Sequence, residues 1–191
     1  MAETRSNMME LGASAPGFEL PDTSGRPVKL DDFADYRALL VIFMCNHCPY
    51  VRHLSAGLAQ FARDYQPRGL GVVAINANDP ERFPQDGPEA TSREIARAGY
   101  TFPYLFDESQ AVAHAFGAAC TPDFFLYDDG RRLVYRGQFD ASRPGNQVPV
   151  TGEDLRTAVE ALLTGEPIAA EQTPSVGCNI KWIPGNEPVM A

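Results

Sequence analysis

One stretch constrains this chain more than any other: Leu39-Leu40-Val41-Ile42-Phe43-Met44-Cys45-Asn46-His47-Cys48-Pro49, an apolar run that ends in two cysteines. The run is rich in residues that favour strands and short enough for a strand buried on both faces. A helical pattern starts at once, because Val51, Leu54, Leu58, Phe61 and Tyr65 recur three and four residues apart. The cysteines therefore fall at a strand-to-helix corner, with Cys45 expected just before the helix N-terminus. Unpaired backbone N–H groups and the helix dipole favour negative charge there. Thiol pKa values in such settings fall from about 8.5 to roughly 3.5–7.5, which makes Cys45 the expected thiolate.

A second apolar strand, Leu70-Gly71-Val72-Val73-Ala74-Ile75-Asn76, follows the helix. Strand, helix and strand form a βαβ unit with parallel strands and a right-handed crossover. Upstream, two short strands flank Asp22-Thr23-Ser24-Gly25 as a hairpin, and Asp31 or Asp32 caps a brief helix reaching Tyr36. Downstream, residues 77–90 read as a polar, solvated loop. A helix is expected at 89–98 with Gly99 closing it, a strand at 102–106, and a helix from Asp107 to Phe116 ended by Gly117. Strands at 124–127 and 133–137 flank the turn Asp128-Asp129-Gly130-Arg131. Thr151 with Asp154 opens a final helix. The expected organisation is a mobile start at 1–10, one domain at 11–164, and an irregular tail at 165–191 packed on it.

With 191 residues the chain can bury a good core. Its net charge of −9 argues against nucleic acid and against an anionic membrane surface as partners. No stretch reaches the roughly 18 apolar residues of a spanning helix, and Glu3 and Glu10 flank a start with no secretory apolar region. A cytoplasmic location is expected. Four cysteines in a reducing compartment point to catalysis or metal binding rather than a structural staple.

The spacing Cys45-x-x-Cys48 suits dithiol–disulfide exchange. Cys45 attacks a substrate disulfide and Cys48 resolves the mixed disulfide, a step helped by the high effective molarity of two sulfurs one turn apart. The competing reading is a zinc half-site or a chance pair, but zinc needs about four ligands and no second pair lies near in sequence. His47, inside the pair, is placed to stabilise the thiolate; otherwise it is an exposed turn histidine. Cys178, in the tail, is either a packing cysteine or an accessory redox thiol. No cofactor or metal is called for. The expected partners are a disulfide-containing protein or small thiol substrate and an electron-donating reductase or thiol pool.

The order of elements, with a later Thr-Pro before a strand hairpin and a terminal helix, resembles the thioredoxin fold. The start Gly12-Ala13-Ser14-Ala15-Pro16-Gly17-Phe18-Glu19-Leu20-Pro21-Asp22 is similar to the redoxin branch, the alkyl hydroperoxide reductase / thiol-specific antioxidant superfamily. Cys45-Asn46-His47-Cys48-Pro49 and the tail Ser175-Val176-Gly177-Cys178-Asn179 resemble a cytosolic subgroup of it. The resemblance implies an α/β fold with a central mixed sheet flanked by helices, an N-terminal hairpin extension and an irregular C-terminal tail. It implies a thiol–disulfide oxidoreductase, with a thiol peroxidase or a non-enzymatic redox sensor as alternatives. It also implies that Thr121-Pro122 forms a cis-proline loop that holds substrate as an added strand. Cys120 then sits near Cys45 as an accessory redox thiol, or as a small buried residue. Three departures stand out. Met44 replaces the tryptophan usual before the first cysteine, and Leu39 occupies the place of a buried acid. Cys45 stands where the peroxidatic motif Pro-x-x-x-Thr/Ser-x-x-Cys would have a hydroxyl residue before Cys48.

Overall fold

The structure is a computed structural model that describes residues 3–188. The apolar run forms β4 at the centre of a five-stranded sheet, so the strands before and after it are given in chain order. β1 is Glu3–Arg5, β2 Glu19–Pro21, β3 Pro27–Lys29 and β4 Ala38–Phe43, followed by α1 (Pro49–Tyr65) and β5 (Leu70–Asn76). Then come α2 (Pro88–Ala98), β6 (Tyr104–Phe106), α3 (Ala111–Phe116), β7 (Cys120–Thr121), β8 (Asp123–Tyr127), β9 (Leu133–Tyr135), α4 (Glu153–Thr164) and β10 (Val176–Asn179).

The central sheet has the order β6-β5-β4-β8-β9. β4 runs parallel to β5 and antiparallel to β8, so the sheet is mixed and flanked by helices, as the resemblance implies. Successive side chains of β4 point to opposite faces. Leu40 and Ile42 join α1 and α4 in one apolar cluster, whereas Leu39, Val41 and Phe43 join α3 and the β2–β3 hairpin in another. All five helical residues picked out by periodicity on α1 are buried. Pro49 is the first residue of α1, where its missing N–H has no intrahelical partner to lose.

Several expectations shift. The helix expected from Asp107 begins at Ala111, because the Asp107 carboxylate accepts the Ala113 N–H (2.8 Å) from outside the helix. The brief helix near residue 31 is a single 3-10 turn, Leu30–Phe33. The start and the tail each contribute a short strand. Glu3–Arg5 and Val176–Asn179 are strands of a second sheet in the order β1-β10-β7. β10 pairs with β1 through Glu3↔Cys178 and with β7 through Cys178↔Thr121. The tail is thus fastened over the corner where α1 begins. Among the described residues no helix is long and apolar enough to cross a membrane.

Candidate active site

Cys48, not Cys45, occupies the N-cap of α1, with extended backbone (φ −67°, ψ 121°). The helix starts one residue after the second cysteine, so the N–H groups and the dipole act on Cys48. The N-cap position thus falls to Cys48, where the sequence placed Cys45 just before the helix. The two thiols hydrogen-bond each other. Cys48 is drawn down to about 5, first by the Cys45 thiol, then by the Thr121 hydroxyl, the Val51 N–H and the Cys178 thiol, against the opposing effect of burial. Cys45 is pushed well above the ordinary thiol range by its bond to Cys48, by burial and by the Asp86 carboxylate. One contact opposes a charge on Cys48: its sulfur lies 3.0 Å from the Thr121 carbonyl, to which only the protonated thiol donates.

Asp86 organises the turn between the cysteines. Its side chain is about 1% exposed, and its Oδ1 accepts the Asn46 N–H (2.9 Å) and the His47 N–H (3.1 Å). Its Oδ2 accepts from the Asn78 amide (2.9 Å) and lies 2.5 Å from His47 Nδ1. A buried carboxylate is tolerable when its oxygens are satisfied in this way. The loop at 77–90, expected to be solvated, therefore supplies a buried acid; Asp79 and Asn78 are buried there too. His47 stacks on Phe83 (ring centroids 5.3 Å, interplanar 8°). Its Nδ1 also lies 3.8 Å from Cys45 Sγ, and the Thr121 hydroxyl lies 3.7 Å from the same sulfur.

Among the described residues Cys45, His47 and Asp86 form the one group with ligand atoms mutually within 4.8 Å. The 2.5 Å separation of Nδ1 and Oδ2 is that of a hydrogen bond. A cation bound at about 2 Å to both atoms would have to push them apart.

The four cysteines are all thiols and all buried. Cys45 is 1% and Cys48 0% exposed, so both are closed off from solvent. The cover is β10 on one side and His47 with Phe83 on the other, and the His47 side chain is 17% exposed.

The AhpC/TSA family profile matches residues 11–136, well over half of the chain. The chain belongs to the AhpC/TSA family. It is 29% identical over 131 residues to the peroxiredoxin Bcp of Escherichia coli K12, covering 68% of this chain and 79% of that one. It is 28% identical over 136 residues to the thiol-disulfide oxidoreductase ResA of Geobacillus thermodenitrificans, covering 68% and 70%. A solved structure of a hypothetical protein from Sinorhizobium meliloti 1021 superposes with a TM-score of 0.94 at 55% identity, over 95% of this chain and 100% of that one. The fold is thioredoxin-like. Membership of the AhpC/TSA family supports a redox function.

In this AhpC/TSA member the fold brings Cys45, Cys48, His47 and Thr121 together. The Thr121–Pro122 peptide is cis. Cys178 reaches Cys48 as a hydrogen-bond partner, and burial together with that bond pushes it up to about 12. Cys120 is buried with its sulfur 3.5 Å from the Pro122 carbonyl, and burial followed by Asp123 pushes it well above the usual range. Two acids escaped the sequence reading. Asp86 lies in a loop with no periodicity. Asp123, fully buried opposite Phe43, is raised to about 7 by burial, against the N–H groups of Ala119, Cys120 and Phe124 and the Ser6 hydroxyl. The only sequence signal for Asp123 was its place directly after Thr121-Pro122.

Proposed function

We propose that the protein is a thiol–disulfide oxidoreductase in which Cys45 and Cys48 cycle between dithiol and disulfide. The observation that carries this reading is the contact between the two buried thiols at the strand-to-helix corner. In the reduced form the charge rests on Cys48. That thiolate attacks a substrate disulfide, one sulfur of which leaves as thiolate and takes up a proton. Cys45 then attacks Cys48 of the mixed disulfide, closing Cys45–Cys48 and releasing the second substrate thiol. As Cys45 attacks, its proton passes to the departing substrate thiolate, and the bond between His47 Nδ1 and the Asp86 carboxylate holds the ring beside Cys45. Substrate, a protein or small disulfide, reaches the pair by displacing part of the cover. A reductase or thiol pool of a reducing compartment, the cytoplasm on this reading, returns the disulfide to dithiol. Turnover of an insulin-type or small disulfide tests the proposal. Cys48→Ser is expected to abolish it, and full activity in that variant overturns the assignment.

A second reading has one specific support. Cys48 sits at the helix N-cap with a depressed pKa, although the peroxidatic motif itself is absent, with Cys45 at its Thr/Ser position and Val41 at its Pro position. There a hydroperoxide oxidises Cys48 to sulfenic acid and Cys45 condenses with it, releasing water. Rapid peroxide consumption dependent on Cys48 distinguishes this reading from the first.

A further inference from the structure

Cys178 has no part in the exchange just described, yet the fold spends two strand pairings to put it beside Cys48. β10 lies between β1 and β7, and its register sets Cys178 opposite Thr121. The Thr121 carbonyl is itself 3.0 Å from Cys48 Sγ. A residue opposite Thr121 is therefore delivered to Cys48 by backbone geometry. Cys178 is 3% exposed and shares one buried cluster with Cys45 and Cys48, and its thiol hydrogen-bonds Cys48. The register is exacting at the neighbouring residue. A Cβ on Gly177 would stand 2.0 Å from the Thr121 carbonyl oxygen, so β10 and β7 approach as closely as they do only because residue 177 is glycine. Two sulfurs in hydrogen-bond contact need to close by roughly 2 Å to bond.

We propose that Cys178 is the third sulfur of an intramolecular relay, resolving adducts on Cys48 and exchanging with the Cys45–Cys48 disulfide. This rests on the exchange reading above. From the oxidised pair, Cys178 attacks Cys48. The Cys48–Cys178 bond forms as Cys45–Cys48 breaks, and Cys45 leaves as thiolate and takes up the proton that Cys178 gives up. The step is isoenergetic in electrons: one disulfide replaces another, and no external oxidant enters. Its counterpart begins from a mixed disulfide on Cys48. Cys178 attacks Cys48, the bound thiol leaves and is protonated, and the same Cys48–Cys178 link results. Cys45 and Cys178 thus flank Cys48 as alternative resolving groups, one on the His47 side and one on the tail strand.

The test uses the full chain, reduced and then treated with oxidised glutathione or, in parallel, with the azo oxidant diamide. Acid quenching, alkylation and peptide mapping without reduction read the links. Wild type is expected to give Cys45–Cys48. In Cys45→Ser the Cys48–Cys178 link is expected to account for most of the oxidised protein. In Cys45→Ser with Cys178→Ser, glutathione is expected to stay on Cys48. The relay is overturned if folded Cys45→Ser, checked by circular dichroism, yields no Cys48–Cys178 link with either oxidant. It is equally overturned if glutathione persists on Cys48 while Cys178 remains alkylatable. Failure of the exchange reading looks different: wild type then forms no Cys45–Cys48 link, whatever Cys45→Ser does.

Discussion

At the scale of single residues, the decisive fact is where the helix begins. The sequence pattern located the strand, the corner and the helix, but it could not say whether α1 starts before or after Cys48. Three residues, less than one helical turn, separate the two sulfurs, so a small shift in the helix start decides which thiol the N-terminus favours. Helix ends are the part of an element that periodicity defines least. Ultraviolet absorbance of thiolate against pH checks the assignment. Reduced wild type is expected to show one step near pH 5 from Cys48. Cys48→Ser should lack that step, leaving Cys45, Cys120 and Cys178 to ionise above the ordinary thiol range. Survival of the low step in that variant would return the charge to Cys45. Asp86 was illegible for a different reason. Nothing local distinguishes an acid that holds two backbone N–H groups from one that faces water, because its partners, Asn46 and His47, lie about forty residues upstream.

At the scale of elements, long patterned segments were legible and short ones were not. β4, α1 and β5 each carry enough apolar residues for their period to show. β1 has three residues and β10 four, one of them glycine, and their stability comes from pairing with sequence-distant partners. Tertiary context makes them strands, and local propensity leaves no mark. The same close pairing provides a lever on the cover of the site. Gly177→Ala sets a Cβ against the Thr121 carbonyl oxygen and carbon, at 2.0 and 2.6 Å, and both are backbone atoms with no rotamer to yield. Overpacking of this kind destabilises by roughly 1–3 kcal/mol, here concentrated on the β10–β7 pairing. Local opening rises about tenfold for each 1.4 kcal/mol, so alkylation of Cys48 in the native protein should accelerate by about that factor or more. An unchanged rate would show that β10 is not what shields the sulfur.

At the scale of the whole molecule, the buried ionisable groups pull stability in opposite directions as pH changes, and oxidation separates them. Asp123 has its folded pKa raised from 3.8 to about 7, so the fold prefers it protonated. Its carboxyl leaves stability untouched below the unfolded pKa, and stability falls as pH rises from about 4 to about 7 before levelling off. About three pH units at about 1.4 kcal/mol each set the scale at a few kcal/mol for a group fully out of water. Cys48 has its folded pKa lowered from 9.0 to about 5, so its contribution is present above the unfolded pKa and is lost as pH falls toward 5. A disulfide between Cys45 and Cys48 removes that thiolate and leaves Asp123. Denaturant titrations of the oxidised protein should therefore show stability declining between pH 4 and 7, and Asp123→Asn should flatten that decline, since an amide fills the site without a charge to expel. The reduced protein should show a shallower decline, because Cys48 gains as Asp123 loses. If oxidised Asp123→Asn keeps the wild-type slope, then burial of this carboxyl is not what sets the pH profile of the fold.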